Sequence, residues 1–306
     1  MDLVGSPAAL RRWAVASLVA NVAIVVTGGL VRVTGSGLGC STWPQCEPGS
    51  YLPHPEAGIH AYIEFGNRLL TFVLVIVAIG TLLAAWRARD AAGAPRPLVR
   101  GLAICLIIGI LAQAVIGGIS VLVQLNPWVV GAHLMPSIAL IAACVVLVHE
   151  ASDRAPVPVG RSVRRVVRVL VLFGLVVMLL GVVVTGAGPN SGAGGAARNG
   201  MDLLATARIH SLSVWVVVAL TIGLAVATRA NPAARRAVLL LLAIELFQGA
   251  VGYAQYFLAL PPWLVTLHMA GTALFTAALA HLWWLTRAPS SAEAKIRTEA
   301  GRSQQR

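Results

Sequence analysis

The sequence carries little charge for its length. Only 11% of its 306 residues are Asp, Glu, Lys or Arg, whereas 58% are hydrophobic and the mean hydropathy is +0.83. A soluble domain of this size needs many more polar side chains to cover its surface. The shortage of charge therefore excludes a water-soluble fold and predicts a protein whose main solvent is lipid.

The sequence contains long apolar runs. A bilayer core of about 30 Å requires about 20 apolar residues for each helix that crosses it. Eight runs meet this requirement, and they lie at residues 13–33, 64–86, 101–122, 128–148, 166–186, 208–228, 237–257 and 263–285. The sequence thus predicts an all-α polytopic membrane protein with eight transmembrane helices.

The positions of the cations explain the net charge of +12. If the amino terminus is inside, all but four of the 23 arginines and lysines fall on the inner side, and the exceptions are Arg32, Arg68, Arg198 and Arg208. The positive-inside rule then places both termini in the cytoplasm and the chain in the cell membrane. The basic balance reflects topology, so a nucleic-acid partner is not predicted.

A repeat divides the chain into two halves. Five positions match without a gap at constant spacing: Gln113, Gly117, Pro127, Trp128 and His133 recur as Gln248, Gly252, Pro262, Trp263 and His268. The run 24–28 likewise recurs as 182–186, so the first apolar run has a counterpart and is not expected to be a cleaved signal peptide. We predict two pseudo-symmetric four-helix bundles, residues 1–150 and 151–286, followed by a disordered cytoplasmic tail at 287–306.

The histidines of the repeat are candidate haem ligands. His133 and His268 have equivalent depths near the outer face, and His210 opens the sixth run where the second run has Asn67. His210 and His268 can face each other across a bundle as axial ligands of one haem iron. A hydrogen-bonded packing role is the alternative for each membrane histidine. His60 is a possible substitute ligand in the first half.

Two acidic residues lie in apolar surroundings. Glu64 stands at the start of the second run, where a carboxylate suits proton transfer, and an i,i+4 salt bridge to Arg68 is the alternative. Glu245 lies midway along the seventh run, and its counterpart in the repeat is Ile110. An intramembrane Glu is a functional candidate, but this missing counterpart leaves its role open.

Cysteines are few, which limits the redox and metal chemistry available. Of the four, Cys40 and Cys46 lie in the first outer loop, on the oxidising side, where a disulfide persists. A zinc site at this loop would need further ligands, and only His54 and His60 are near. The sequence favours the disulfide.

Together these motifs resemble the haem A synthase family. The resemblance is carried by the run T-G-G-L-V-R-V-T-G-S-G at 27–37, the loop from Cys40 to Cys46 with its Trp-Pro, the run E-F-G-N-R at 64–68 and the paired Trp and His motifs. It spans about residues 13–285. It implies stepwise oxidation of the C8 methyl group of haem O, first to an alcohol, then to the hydrate of the aldehyde and so to the formyl group of haem A for terminal oxidases. It also implies haem b on His210 and His268.

The resemblance assigns further roles in the first half. Glu64 is the implied catalytic carboxylate, and His133 is the implied ligand of the substrate haem iron. The family usually has histidine at the position of Asn67. Either His133 is then the sole ligand of the substrate iron, or Asn67 binds weakly or through water, or His60 replaces the missing histidine. We favour the first. Candidate partners for the haem propionates are Arg32, Arg68 and Arg208, with ordinary interfacial roles as the alternative.

Partners follow from the same resemblance. The expected ones are haem O, the haem O synthase (protohaem farnesyltransferase) that supplies it, and membrane lipid; self-association is left open. A diheme cytochrome that relays electrons from quinol is the alternative function, and it predicts paired histidines in both halves. A transporter with inverted repeats would require an odd number of helices in each half.

Overall fold

The computed structural model describes residues 5–90 and 92–288, and the regular structure of these residues is helical. The helices are α1 (Pro7–Val33), α2 (Ile59–Arg87), α3 (Pro97–Leu122), α4 (Pro127–Ala151), α5 (Arg161–Ala187), α6 (Leu203–Ala227), α7 (Pro232–Phe257) and α8 (Pro262–Thr286). All eight are long and apolar enough to cross a membrane. The predicted fold class is confirmed, whereas residues 289–306 of the tail predicted at 287–306 lie outside the described residues.

The helices begin earlier than the apolar runs because polar caps and prolines start them outside the hydrocarbon. Proline occupies the first turn of α1, α3, α4, α7 and α8, where its missing N–H costs nothing. Side chains accept from first-turn amides in four helices, and these N-caps are Ser6, Asn126, Asp202 and Asn231. The starts of six of the eight helices therefore follow from local sequence, the exceptions being α2 and α5.

Each half has its own apolar core. Leu106 and Leu147 are fully buried in the first half, and Leu170 and Leu241 in the second. A third, smaller cluster lies where α1, α4 and α8 meet, and it consists of Val25, Ile141 and Ala273. The central helices α4 and α8 thus join the two bundles.

The turns of the repeat have the same backbone in both halves. Gln124 and Leu125 between α3 and α4 have φ of 53° and 58°, and Ala259 and Leu260 between α7 and α8 have φ of 59° and 61°. In each turn the second residue donates its N–H to a carbonyl five residues earlier at 2.8 Å. Different side chains thus form the same left-handed turn, so α3–α4 and α7–α8 are matching structural units.

Polar contacts join the halves at both ends of the bundle. We call the end that carries the loop between α1 and α2 the disulfide end. There, Arg32 Nη2 donates to the Thr185 carbonyl across 2.9 Å. At the opposite end the rings of His149 and Trp284, which are equivalent in the repeat, stack at 4.1 Å. The pseudo-symmetry axis therefore passes between α4 and α8.

Candidate functional site

The second half carries two histidines toward the disulfide end, one on α6 and one on α8. His210 on α6 and His268 on α8 lie within electrostatic range of each other. The Nδ1 of His210 is 3.1 Å from the Val177 carbonyl. A nitrogen that donates to a carbonyl leaves the other ring nitrogen, Nε2, free to bind a metal. His268 Nδ1 is buried and has no hydrogen-bond partner among the residues described.

Glycines on the neighbouring helices make room for these two rings. A Cβ added to Gly181 on α5 would stand 3.3 Å from Cε1 of His210. One added to Gly252 on α7 would stand 3.6 Å from Cε1 of His268. Each ring therefore packs closely against a neighbouring helix. Imidazole side chains of this kind commonly serve as ligands of haem iron.

The first half has one histidine in the corresponding place. His133 on α4 faces Gly117 on α3, where an added Cβ would be 3.2 Å from the ring Cε1. Its Nδ1 is buried and has no partner in the described part of the chain. On α2, the buried Oδ1 of Asn67 likewise has no partner there. Both buried polar atoms lack a partner within the described protein and are therefore free to bind a ligand.

His60 lies apart from this site. It is exposed in the first turn of α2, and its Nδ1 is 2.9 Å from the Ser36 hydroxyl. Seven residues separate it from Asn67, which is roughly two helical turns. The structure thus assigns His60 to the rim of the outer loop, where it lines a shallow cavity of about 440 Å³ with Gly39 and Glu47.

Glu64 is the centre of a buried ion pair. The residue is only 5% exposed. Its Oε1 accepts hydrogen bonds from Nη2 of Arg68 at 2.6 Å and from Nε of Arg68 at 3.1 Å. Its Oε2 accepts the Cys40 amide at 2.8 Å. Arg68 in turn donates to the carbonyls of Thr42 and Gln45. The salt bridge weighed as an alternative is therefore present, and it attaches the disulfide loop to α2.

The disulfide itself joins Cys40 to Cys46, as predicted, with their Cα atoms 4.4 Å apart. The alternative of a zinc site has no support in the described residues, which contain no group of three metal-ligating side chains. His54 is exposed and lies 3.5 Å from Glu47. The first outer loop thus contains a covalent ring closed by the disulfide, and Glu64 on α2 holds this ring through the Cys40 amide.

The three arginines that are candidate propionate partners differ in how many of their N–H donors already have a hydrogen-bond partner. Arg68 is committed to Glu64 and the loop carbonyls. Arg32 is committed through Nη2, but its Nε is buried with no partner among residues 5–90 and 92–288. Arg208 is exposed on α6, two residues before His210. Arg32 and Arg208 therefore keep more donor capacity for a carboxylate than Arg68 does.

Glu245 is buried inside the second half. The residue is 3% exposed, and Oε1 accepts from the Thr221 hydroxyl at 2.8 Å. Its Oε2 is buried without a partner in the described structure. The carboxyl group thus links α6 to α7 through one oxygen only.

Sequence reasoning missed a polar cluster at the end opposite the disulfide. His149 Nε2 and His281 Nδ1 are 2.8 Å apart, and His149 stacks on Trp284. Trp284 Nε1 donates to Glu150 Oε1 at 3.2 Å. The equivalence of His149 and Trp284 in the repeat was the available signal, because equivalent positions beside a two-fold axis meet each other. The pair is engaged in packing between the halves.

Comparisons with known proteins agree with the resemblance seen in the sequence. The model of the COX15-CtaA family, described as "Cytochrome oxidase assembly protein", matches residues 11–191. That range includes α1 to α5 and with them Glu64 and His133. It ends before the second-half histidines, whose roles therefore rest on the repeat and the geometry.

Three relatives named "Heme A synthase" illustrate the similarity. The protein of Geobacillus thermodenitrificans is 30% identical over 144 residues, which are 46% of this chain and 43% of the relative. That of Listeria welshimeri is 30% identical over 139 residues, 45% of this chain and 44% of the relative. That of Bacillus pumilus is 29% identical over 191 residues, 58% of each. The chain thus spans about half the length of the relatives that it matches.

Proposed function

The chain belongs to the COX15-CtaA family of cytochrome oxidase assembly proteins, and on that premise we propose that it is a haem A synthase. The reaction oxidises the C8 methyl group of haem O to a formyl group and supplies haem A to terminal oxidases. One observation carries the proposal for this chain: the second half has two histidines, His210 and His268, where the first half has His133 and Asn67. The arrangement fits one resident haem and one exchangeable haem.

The second half is the proposed site of the resident haem b. His210 and His268 would hold it, and the Val177 carbonyl fixes the tautomer of His210 so that Nε2 would be free to bind a metal. When bound, haem b would supply one-electron redox chemistry. Gly181 and Gly252 allow the two rings to pack against α5 and α7.

The first half is the proposed substrate site. His133 binds the iron of haem O, and Asn67 leaves the opposite position without a strong ligand. Neither His133 Nδ1 nor Asn67 Oδ1 has a partner in the described residues, so both atoms are available to a ligand. A single strong ligand suits a haem that enters and leaves in each catalytic cycle. His60 is engaged with Ser36 and is the weaker candidate.

Glu64 is the proposed catalytic carboxylate. Oxidation of the methyl carbon removes its hydrogens, and a fixed carboxylate can accept them as protons. Arg68 and the Cys40 amide hold Glu64 through charge-assisted hydrogen bonds, so the group is positioned before substrate arrives. Arg32 and Arg208 are the proposed propionate partners because their donors are less committed than those of Arg68.

The setting of the reaction is the cell membrane. We infer that both termini are cytoplasmic and that the two haem sites lie near the outer face, as the distribution of arginines indicates. The haem O would come from haem O synthase within the same bilayer. A diheme relay that takes electrons from quinol would need two strong ligands in each half, and Asn67 disfavours it.

Production of haem A is the decisive test. The full chain is expressed together with a haem O synthase in a host that lacks haem A, and the extracted haems are identified by mass. Haem A should accumulate with the wild-type chain and be absent when His133 is replaced by alanine. If the folded wild-type protein leaves only haem O and haem B in the extract, the proposal is wrong.

A further inference from the structure

Two glutamines of the repeat connect adjacent helices at the histidines. Gln113 on α3 donates through Nε2 to the backbone carbonyl of His133 at 2.8 Å. Gln248 on α7 donates in the same way to the carbonyl of His268 at 2.9 Å. Neither haem ligation nor the proposed chemistry uses these side chains, yet they occur at equivalent positions in both halves.

Each glutamine shares a helix face with the glycine that accommodates the histidine ring. Gly117 and Gly252 follow the glutamines by four residues, which is about one helical turn. The hydroxyls of Ser137 and Thr272 donate to the same two carbonyls, at 3.3 and 3.1 Å. On α3 and on α7, the glutamine therefore binds the backbone of the histidine, and the glycine one turn later leaves space for the histidine ring.

The hydrogen bond from the neighbouring helix fixes the rotation of α4 or α8 about its own axis. Hydrogen bonds within α4 or α8 survive rotation of the whole helix about its axis, whereas a bond from α3 or α7 does not. In an apolar bilayer a lost amide bond is not replaced by water, so the link persists. The rotation of the helix sets where the imidazole points.

The side-chain oxygens of the two glutamines argue against a role in stability alone. The Oε1 atoms of Gln113 and Gln248 are both buried without a partner among the residues described. A buried unpaired oxygen costs free energy, and an apolar side chain of similar size would avoid that cost. Retention of the amide at both positions therefore suggests a requirement for its donor.

We propose that Gln113 and Gln248 are positioning residues that set the direction of His133 and His268 toward haem iron. The inference rests on the proposed haem ligation and adds the control of its geometry. Neither glutamine touches the haem. Each acts through the histidine backbone that it holds.

The second half provides the test, because a resident haem b can be observed directly. The full-length protein with Gln248→Leu loses the donor but keeps a side chain of similar volume. We expect the low-spin electron paramagnetic resonance signal of the bis-histidine haem to shift or to give way in part to a high-spin signal. Gln248→Glu keeps one O–H donor when protonated, and it should restore the wild-type signal.

A matched control lies on the same helix. Gln255 has no hydrogen bond to His268 in the described structure, so Gln255→Leu should leave the signal unchanged. In the first half, Gln113→Leu removes the donor to the His133 carbonyl and to the Ser137 hydroxyl. It should lower haem A production by about fivefold or more and leave the haem b signal intact. The two glutamines thus have separate readouts.

The outcomes separate the inference from the function on which it rests. An unchanged signal and redox potential in Gln248→Leu would overturn the inference while haem A production continued. Loss of haem in both Gln248→Leu and Gln248→Glu, with Gln255→Leu intact, would assign Gln248 to folding alone and would also overturn it. A wild-type protein that binds no haem would instead refute the haem A synthase proposal.

Discussion

The two halves of the molecule share a scaffold and differ in what faces the shared histidine. Both have the left-handed turn, the glutamine bond and a glycine beside the ring. His210 approaches His268 in the second half, whereas the first half has Asn67 at that position. One scaffold can thus offer a haem two strong ligands or one, and the number of ligands separates a retained cofactor from an exchangeable substrate.

A second difference concerns acidic residues. In the first half Glu64 and Arg68 connect α2 to the disulfide loop near the disulfide end. In the second half Glu245 lies deeper, between α6 and α7, where the first half has Ile110. The carboxylate next to the proposed substrate site is therefore held by charge, while that in the cofactor half has only a hydroxyl partner.

The largest expected effect separates the two histidine sites. His268→Ala should abolish the haem b spectrum of the purified protein, because the iron loses an axial ligand. His133→Ala should keep that spectrum and abolish haem A production. Optical spectra and haem extraction measure the two losses.

The control for this pair is His281→Ala, which removes a histidine of α8 that packs against His149. It should retain the haem b spectrum. An unchanged spectrum in His268→Ala would contradict the assignment of the cofactor to the second half.

The next effect concerns the carboxylate. Glu64→Gln keeps the volume of the side chain and an oxygen that can accept the Cys40 amide, but it cannot accept a proton. Haem A production should fall by about a hundredfold or more, the contribution typical of general base catalysis, with haem b unchanged. Conversion close to that of the wild type would reduce Glu64 to an anchor for the loop.

A third change makes the halves more alike. Asn67→His restores a second imidazole opposite His133, so the first half should retain haem through purification. The ratio of haem to protein should rise, and a second low-spin signal should appear. Asn67→Ala is the matched control and should retain no additional haem; equal ratios in the two variants would show that residue 67 does not face the iron.

The smallest expected effect concerns the loop. Replacement of both Cys40 and Cys46 by serine removes a short covalent ring, which stabilises the folded state by about 2 kcal/mol. The melting temperature should fall, and haem b should stay bound, because the second half does not contain the loop. A melting temperature equal to that of the wild type would show that Glu64 and Arg68 hold the loop without the disulfide.

The fold was predictable because a bilayer dictates helix length and the repeat dictates pairing. The disulfide was predictable because two cysteines share one short outer loop. Predicted helix bounds were too short, since hydropathy does not register capping residues such as Ser6 and Asp202. The engagement of Glu64 with the Cys40 amide was not predictable, because it depends on how the loop folds back over α2.

The sequence by itself determined the eight helices, the duplication and the histidines that differ between the halves. These are properties of local composition and of positions that repeat along the chain. Only the tertiary structure decided that Arg68 is committed to Glu64, that His149 meets His281, and that each glutamine binds the backbone of a histidine. Such contacts depend on the rotation of one helix against another, which hydropathy does not specify, since it records that a helix is apolar without fixing which neighbour each face meets.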